Sequence, residues 1–465
     1  MLAALKIRST LNDLYAANKR QRAECKSYKR SPLKKPKPET PVVLRRSLRT
    51  RGVPPDAATA AGLDDDLVDE KQIKDISHLS SNKKSPRRKG PLPLTDAYRG
   101  DDGLEYKLKE TFSFSWKSLQ GEGDGVPCDF KDVEKLNVTK KMRGAVDVTA
   151  LELRPENVAR LVPGRIMNVR FFPTLDMQMV VVGNKFGDIG FWNVNGERTG
   201  DDGIYLFHPH SGPVSGITID PFSISKMYSS CYDGFIRMMD VEKEVFDLIH
   251  FSESSIFSTC LSPHDVKSLY FSEGGAVRML DVRAGKCLLS CDLHVDRVNT
   301  IDFSSENENV MATSSTDSTA CIWDLRRLNA NKPTPLKTVN HRRAVHSAFF
   351  SPTGKFLATT SLDDKVGLST GANYENTYMM SHFNQTGRWI STFRGIWGWD
   401  DSSIFIGNMK RGIDVISIPD KKTVATLKSD LMTAIPCRFD AHPYYVGMLA
   451  GATGGGQVYI WNPNP

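Results

Sequence analysis

His294, Ser314, Ser315 and Asp317 are the residue types from which a Ser-His-Asp hydrolase is built. In such a site the imidazole takes a proton from the serine hydroxyl while the carboxylate orients the ring. The pair recurs, however, as His210 with Asp233 and His341 with Asp363. A single catalytic centre has no use for copies spaced along the chain, whereas a repeated structural unit requires them. The sets therefore read as a hydrogen-bonded lattice that satisfies polar groups buried by packing. The Gly-rich stretch "GATGGGQVYIW" (451–461) lacks the lysine and the following helix of a phosphate loop, so its glycines read as a turn. Eight cysteines are scattered, and the nearest pair, Cys287 and Cys291, has no histidine at zinc-site spacing. Neither a disulfide framework nor a structural metal is expected, and no cofactor motif is present. The cysteine usage fits a reducing, intracellular compartment.

The elements that must hold these residues repeat from about residue 164. Each unit opens with a short alternating strand such as "IMNVRFF", "VNTIDFS" or "VHSAFFS" and continues into a run of small and β-branched residues such as "MVVVGN", "VMATSSTD" or "FLATTSLD". A tight turn then leads to a third strand. Aligning the third strands places Trp192, Met239, Leu280, Trp323, Ser369, Ile416 and Trp461 at one equivalent position, with gaps of 41 to 47 residues. Several short strands per unit at that period mark an all-β, seven-bladed WD40 β-propeller. Only four residues follow Trp461, so the last unit needs an outer strand from upstream. "VDVTALEL" at 146–153 has the required alternation, and closing the ring with it removes open sheet edges.

The chain is thus expected to divide into a basic disordered tail and linker (1–105), a partly ordered, helical linker (106–145) and the propeller (146–465). Residues 1–50 carry 14 Lys/Arg against 3 Asp/Glu, whereas residues 151–465 carry 30 against 33. The overall charge of +7 therefore belongs to the tail, as suits a nuclear import signal or a polyanion-binding arm. Its runs "KRSPLKKPKPETP", "RRSLRTRG" and "KKSPRRK" are too poor in apolar residues to offset ordering entropy. Phosphorylation of Ser31 and Ser85, each before a proline, would weaken these runs electrostatically. The first 21 residues lack the apolar core and cleavage site of a secretory signal. No apolar run approaches the roughly 20 residues a membrane helix needs, so no membrane partner is expected.

In propeller topology the loops leading into first strands and the turns between second and third strands open on one face. Arg165, Lys185, Arg297, Arg342, Arg343, Lys365, Arg388, Lys410 and Arg411 all fall in those connections. Gathered around one end of the channel, they could neutralise DNA phosphates in a salt-sensitive way. Arg326, in Trp323-Asp324-Leu325-Arg326, lies beyond a third strand and so on the opposite rim; a weaker version, Asp281-Val282-Arg283, ends the third unit. Its planar guanidinium suits a partner's carboxylate or carbonyls, and it equally suits capping its own blade.

The stretch "VNTIDFSSENENVMATSSTDSTACIWDLRRL" resembles the D-W-D box of substrate receptors that dock onto the damaged-DNA-binding protein 1 adaptor of cullin-RING ubiquitin ligases. "VVVGNKFGDIGFWNV", "SSCYDGFIRMMDVE", "SHFNQTGRWISTFRGIW" and "GNMKRGIDVIS" resemble the family that groups WD-repeat protein 76 with damaged-DNA-binding protein 2, nearest the former branch, over roughly 155–465. The resemblance implies adaptor docking through Asp317, Trp323, Asp324 and Arg326. It also implies a DNA-contacting face at the positions of Arg165, Lys185, Arg297 and Arg411. The chain departs from that family where the damage receptor has a Phe-Gln-His wedge that opens the duplex: Gly387, Arg388 and Trp389 stand there instead. Trp389 could stack on a base or pack into its blade. The expectation is a nuclear, non-enzymatic DNA-binding protein that acts on damaged or modified DNA and serves as a ligase substrate receptor. The alternative is a chromatin-associated scaffold that binds histones or chromatin factors without DNA contact by the propeller.

Overall fold

The computed structural model describes residues 89–100, 143–174, 178–194, 203–221, 223–265, 267–328, 333–387 and 390–464. The expectations for the import signal, for Ser31 and Ser85, for most of the helical linker, and for Arg388 and Trp389 fall outside these residues.

Seven antiparallel sheets follow one another in chain order. Blade one comprises Ile166–Phe171, Met179–Asn184, Ile189–Asn193 and Ile204–Phe207. Blade four comprises Val298–Phe303, Val310–Ser315, Thr319–Asp324 and Lys337–Asn340. Blades two, three, five and six begin near residues 214, 256, 345 and 396. In blade seven Pro436–Ala441, Leu449–Thr453 and Gln457–Pro463 take their outer strand from Leu151–Arg160. Each first strand lies beside the next, and that of blade seven lies beside that of blade one, so the ring is closed.

Burial along each blade explains the sequence pattern. Second strands are packed on both faces and are buried along almost their whole length, completely so in "VMATSS" and "MVVVGN", where small and β-branched side chains fit. Outer strands such as Lys286–Asp292 are mostly exposed. The seven aligned third-strand residues are all buried, at 3% exposure or less. Seven apolar clusters fill the seven gaps between blades: Tyr270, Ile301 and Trp323 meet between blades three and four, and Leu153, Phe405 and Trp461 between blades six and seven. Carboxylates tie neighbours together, Asp302 accepting from the Phe350 amide at 2.7 Å and Asp440 from the Phe171 amide at 2.8 Å.

Six of the seven first strands carry a register shift just after their first residue, as at Val298/Thr300 and Pro436/Arg438. A bulge there turns the strand and re-aims side chains at the channel.

Two boundaries differ from expectation. The closing strand starts at Leu151 rather than 146, because Asp147 accepts from the Thr149 amide and caps a short 3-10 turn at Val148–Ala150. It runs on to Arg160, past a register break between Leu153 and Val158. Residues 89–100, assigned by composition to the tail, instead pack on blades one and two. Leu92–Pro93 adds a fifth strand to blade two, Leu94, Ala97 and Leu92 are buried, and Arg237 donates to the Gly90 carbonyl at 2.8 Å.

Several histidines are buried in the neutral form. Burial, then the charges of Arg394, Arg438 and Arg297, push His346 down to about 3. Burial pushes His442 down to about 4, and its Nδ1 accepts from the Tyr444 and Tyr445 amides, which a protonated ring could not do. An unfolded histidine titrates near ~6.5. As pH falls from there towards the folded values, the unfolded chain takes up protons that the native state refuses, and stability is lost. At pH 5 each ring should cost ~2 kcal/mol. Against their partial burial, hydrogen bonds and the neighbouring histidines hold the half-buried carboxylates Asp317 and Asp363 below the usual range, so their contribution disappears only at lower pH. Calorimetry should show a melting temperature lower by roughly 5–10 °C at pH 5 than at pH 7.5; equal values would contradict neutral burial of these rings.

Candidate nucleic-acid interface

Serines and histidine do not assemble into a hydrolase. His294 Nδ1 meets Asp317 Oδ2 at 2.9 Å and Nε2 meets Thr313 Oγ1 at 2.7 Å, and Trp323 Nε1 donates to that same Thr313 oxygen at 2.8 Å. Ser314 Oγ bonds Thr300 Oγ1 at 2.6 Å and Ser315 Oγ donates to the Asp296 carbonyl at 3.1 Å, so neither serine contacts the imidazole. His341 repeats the arrangement with Asp363 and Thr359. His210 pairs with Ser229 at 2.9 Å and stands 3.7 Å from Asp233. Two further pairs, His208 with Asp188 at 2.6 Å and His382 with Asp414 at 3.1 Å, extend the lattice.

Only blade four completes the set with tryptophan. Trp192 and Trp461 occupy the matching position, but in the registers of blades one and seven the place of Thr313 is taken by Val182 and Gly451. The Nε1 atoms of Trp192 and Trp461 are accordingly buried without an acceptor. His210, Cys231 and Asp233 lie within 4.8 Å of one another. Asp233 already accepts from the Ser211 and Phe235 amides at 3.0 Å, and burial raises the Cys231 thiol well above its ordinary value, so the trio belongs to the lattice. The six described cysteines are all free.

Strand direction places the basic connections together. The Lys185 amide donates to the Arg165 carbonyl at 2.9 Å, the Thr316 amide to the Arg297 carbonyl at 2.9 Å, and Ser361 Oγ to the Arg343 carbonyl at 3.0 Å. Blades one, four and five thereby pin their leading loops to their turns between second and third strands. Lys185, Arg342, Arg343, Lys410 and Arg411 are exposed, and Arg165, Arg297 and Lys365 half-buried. Among the described residues none of Lys185, Arg297, Arg342, Arg343, Lys410 and Arg411 pairs with a carboxylate, unlike Arg170, which is held by Asp440 at 3.0 Å elsewhere in the domain. Lys365 is partly engaged, donating to Ser381 Oγ at 2.8 Å.

Arg411 is held at a cost. Blades one, two and seven place Gly187, Gly234 and Gly456 in the left-handed region at this turn, and a Cβ at Gly456 would lie 1.9 Å from the Val162 carbonyl oxygen. Blade six places Arg411 there with φ 57°, a conformation costing about 1 kcal/mol for a residue with a side chain.

Apolar side chains on the same face were not singled out by sequence. Phe186, Val295, Phe383 and Met409 are 40, 92, 59 and 39% exposed, in the same sets of loops and turns as the cations. Lys185 Nζ lies 4.5 Å from the Phe186 ring centre, and the Arg297 guanidinium lies 5.0 Å from that of Phe257, which itself meets Tyr232 at 5.1 Å. Basic side chains interleaved with exposed aromatics offer both phosphate neutralisation and base stacking. Their signal was readable in principle, since each aromatic lies within two residues of a turn.

Arg326 falls in the connection after the third strand of blade four, on the opposite face. Its Nε and Nη2 grip Asp324 Oδ1 and Oδ2 at 2.9 and 2.8 Å, and its amide also donates to Oδ1. Of the two uses left open by sequence, the blade-capping one is formed here, although the Arg326 side chain remains 70% exposed.

A family model described as WD domain, G-beta repeat matches residues 285–324 and 333–368, the stretches that contain the His294–Asp317 and His341–Asp363 pairs. The chain is 28% identical to a Xenopus laevis protein called WD repeat-containing protein 76, over 99% of this chain and 77% of that one. It is 25% identical to the DNA damage-binding protein cmr1 of Emericella nidulans, over 93% of this chain and 90% of that one. With its Neurospora crassa namesake it is 27% identical over 96% and 92%.

Proposed function

We propose, for a WD-repeat propeller whose relatives include WD repeat-containing protein 76 and DNA damage-binding protein cmr1, that the basic face holds DNA, damaged or modified DNA included. The observation that carries this reading is that a domain with balanced charge concentrates unpaired Lys and Arg, with exposed aromatics between them, on one side of its ring. Duplex DNA lying on that face would be bound through its phosphates, with Phe186 and Phe383 available to unstacked bases at a lesion. Binding of a labelled duplex by a chain that starts at residue 89, without the basic tail, should weaken steeply with salt, with a logarithmic slope of about −4.5 to −6.3 if five to seven phosphates are neutralised. A flat salt response would favour the second reading, a scaffold for histones or chromatin factors, for which the exposed Val295 and Met409 speak.

The protein would act in the nucleus, without catalysis of its own, as a tether. The opposite face would dock the damaged-DNA-binding protein 1 adaptor through Arg326, with Trp323 and Asp324 fixing the blade end beneath it and Asp317, in the turn at the other end of the blade, steadying Trp323 through His294 and Thr313. Holding a ligase next to chromatin raises the effective concentration of its targets. The Asp324 carboxylate then serves to preorganise the guanidinium. Arg326→Ala should abolish capture of the adaptor from nuclear extract while moving the melting temperature by no more than that of a surface substitution, within about 0.5 kcal/mol. Undiminished capture would leave Arg326 as a blade cap alone.

A further inference from the structure

The channel contains charge that the fold does not neutralise. Arg394, from the irregular inner segment of blade six, spans past blade five and donates from Nη2 to the Asn299 carbonyl of blade four at 3.1 Å. Arg438, on the first strand of blade seven and 6% exposed, donates from Nε to the Met167 carbonyl at 2.8 Å and from Nη1 to the Thr392 and Cys437 carbonyls. Arg297 hangs over the same space from the loop before blade four, where its Nε donates to Asn299 Oδ1 at 3.1 Å. Facing them from blade five is His346, 9% exposed, whose Nε2 finds no partner; the buried Nε of Arg394 finds none either.

The three guanidiniums act together on one point, since all of them depress the His346 imidazole. Among the described residues no carboxylate is prominent in opposing them. The groups of opposite sign that act on Arg394 and Arg438 are the Tyr232 hydroxyl and the Cys437 thiol, and burial pushes that thiol up to about 11. Carbonyl acceptors satisfy some of the N–H groups but leave the charge. A buried cation without a counter-charge is strongly disfavoured, and two adjacent ones repel in a low dielectric.

We propose that the inner channel is an anion site that takes a phosphate-class oxyanion between Arg394, Arg438 and Arg297. Arg394 Nε would donate to one oxygen, and His346 Nε2, carrying the ring's proton, to another. Planar guanidiniums on several sides suit a tetrahedral oxyanion better than they suit chloride. The occupant is either a free phosphate or pyrophosphate, or the terminal phosphate of a DNA strand on the basic face beside the channel mouth.

The test uses the full chain. Inorganic phosphate and, separately, pyrophosphate are titrated at constant ionic strength with chloride as the balancing ion, and the melting temperature is followed. A saturable rise is expected with the oxyanion, weakened about tenfold or more in Arg394→Gln through loss of a charge-assisted bond and less in Arg394→Lys. Because each variant is compared with itself in chloride, its own stability does not enter. A response equal to that of chloride, or an equal phosphate response in wild type and Arg394→Gln, overturns the site. A second arm compares duplexes of one sequence with 5′-phosphate or 5′-hydroxyl ends. Tighter binding of the phosphorylated end, lost in Arg394→Gln, assigns the occupant to DNA; equal binding alongside a phosphate response assigns it to the free anion.

Discussion

Replacing Lys410 and Arg411 together by glutamate is expected, if the basic face holds DNA as proposed, to lower the affinity of the propeller for a duplex by about 100-fold near 0.1 M salt. Each phosphate contact releases close to one counterion and is worth nearly tenfold at that concentration, and two like-charge repulsions are added. Both residues are exposed in the turn between the second and third strands of blade six. Neither is engaged by a carboxylate among the described residues, so the loss is one of binding. Arg411→Glu is also expected to keep the strained turn, since its φ of 57° is no worse for glutamate than for arginine. The salt slope should flatten by about two. A reversal on the other face, Lys355→Glu, is the control, because Lys355 is exposed in the turn after the first strand of blade five. The tail has a local excess of 11 positive charges over residues 1–50 and is expected to bind polyanions by itself, so the measurement is made in a chain that starts at residue 89 as well as in the full one. Unchanged affinity after the double reversal, with binding lost only when residues 1–88 are removed, would assign the DNA contact to the tail.

Excising residues 151–160 abolishes cooperative folding of the whole ring. Leu153 is paired opposite Trp461 and Val158 opposite Tyr459, and Leu151, Leu153 and Val158 are buried. Three such side chains contribute roughly 5–9 kcal/mol by transfer, comparable with the about 5–15 kcal/mol that holds a domain folded. The edge of Gln457–Pro463 would then stand open for pairing with other chains. The protein should be recovered insoluble, or without a sharp melting transition. A soluble monomer that melts in one step would show that the other six blades close without this strand. Removing residues 89–100 is milder, since they contribute Leu92, Leu94, Ala97 and Tyr98 at the margin of blades one and two without closing the ring.

The propeller was legible because its third strands recur at a near-constant interval and bury one residue each. The lattice was legible where histidine and aspartate recur at the same places, in blades two, four and five. It was hidden where Val182 and Gly451 replace the threonine, and where His208 and His382 meet their aspartates from places the repeat does not mark. Residues 89–100 escaped because four apolar residues among prolines and charges look like a linker until a blade edge is supplied for them. Arg394 and Arg438 escaped for another reason. Arg394 lies in the irregular inner segment of blade six, which retains only Ile396–Trp397 as strand, and Arg438 in the first strand of blade seven, where nothing local distinguishes a channel arginine from a surface one. The cationic connections could be assigned to a face from topology alone, but the clasp between Arg326 and Asp324 required side-chain geometry.

The pairing of Leu151–Arg160 with Gln457–Pro463 also sets a timetable for biosynthesis. The first of these segments leaves the ribosome about 300 residues ahead of the second. At translation speeds of roughly 5–20 residues per second its hydrogen-bonding edge and its leucines wait for about 15–60 s without their native mate. Nascent chains of this protein should therefore be chaperone clients until Gln457–Pro463 has emerged, and a stall anywhere in blade seven would strand an unclosed, adhesive crescent.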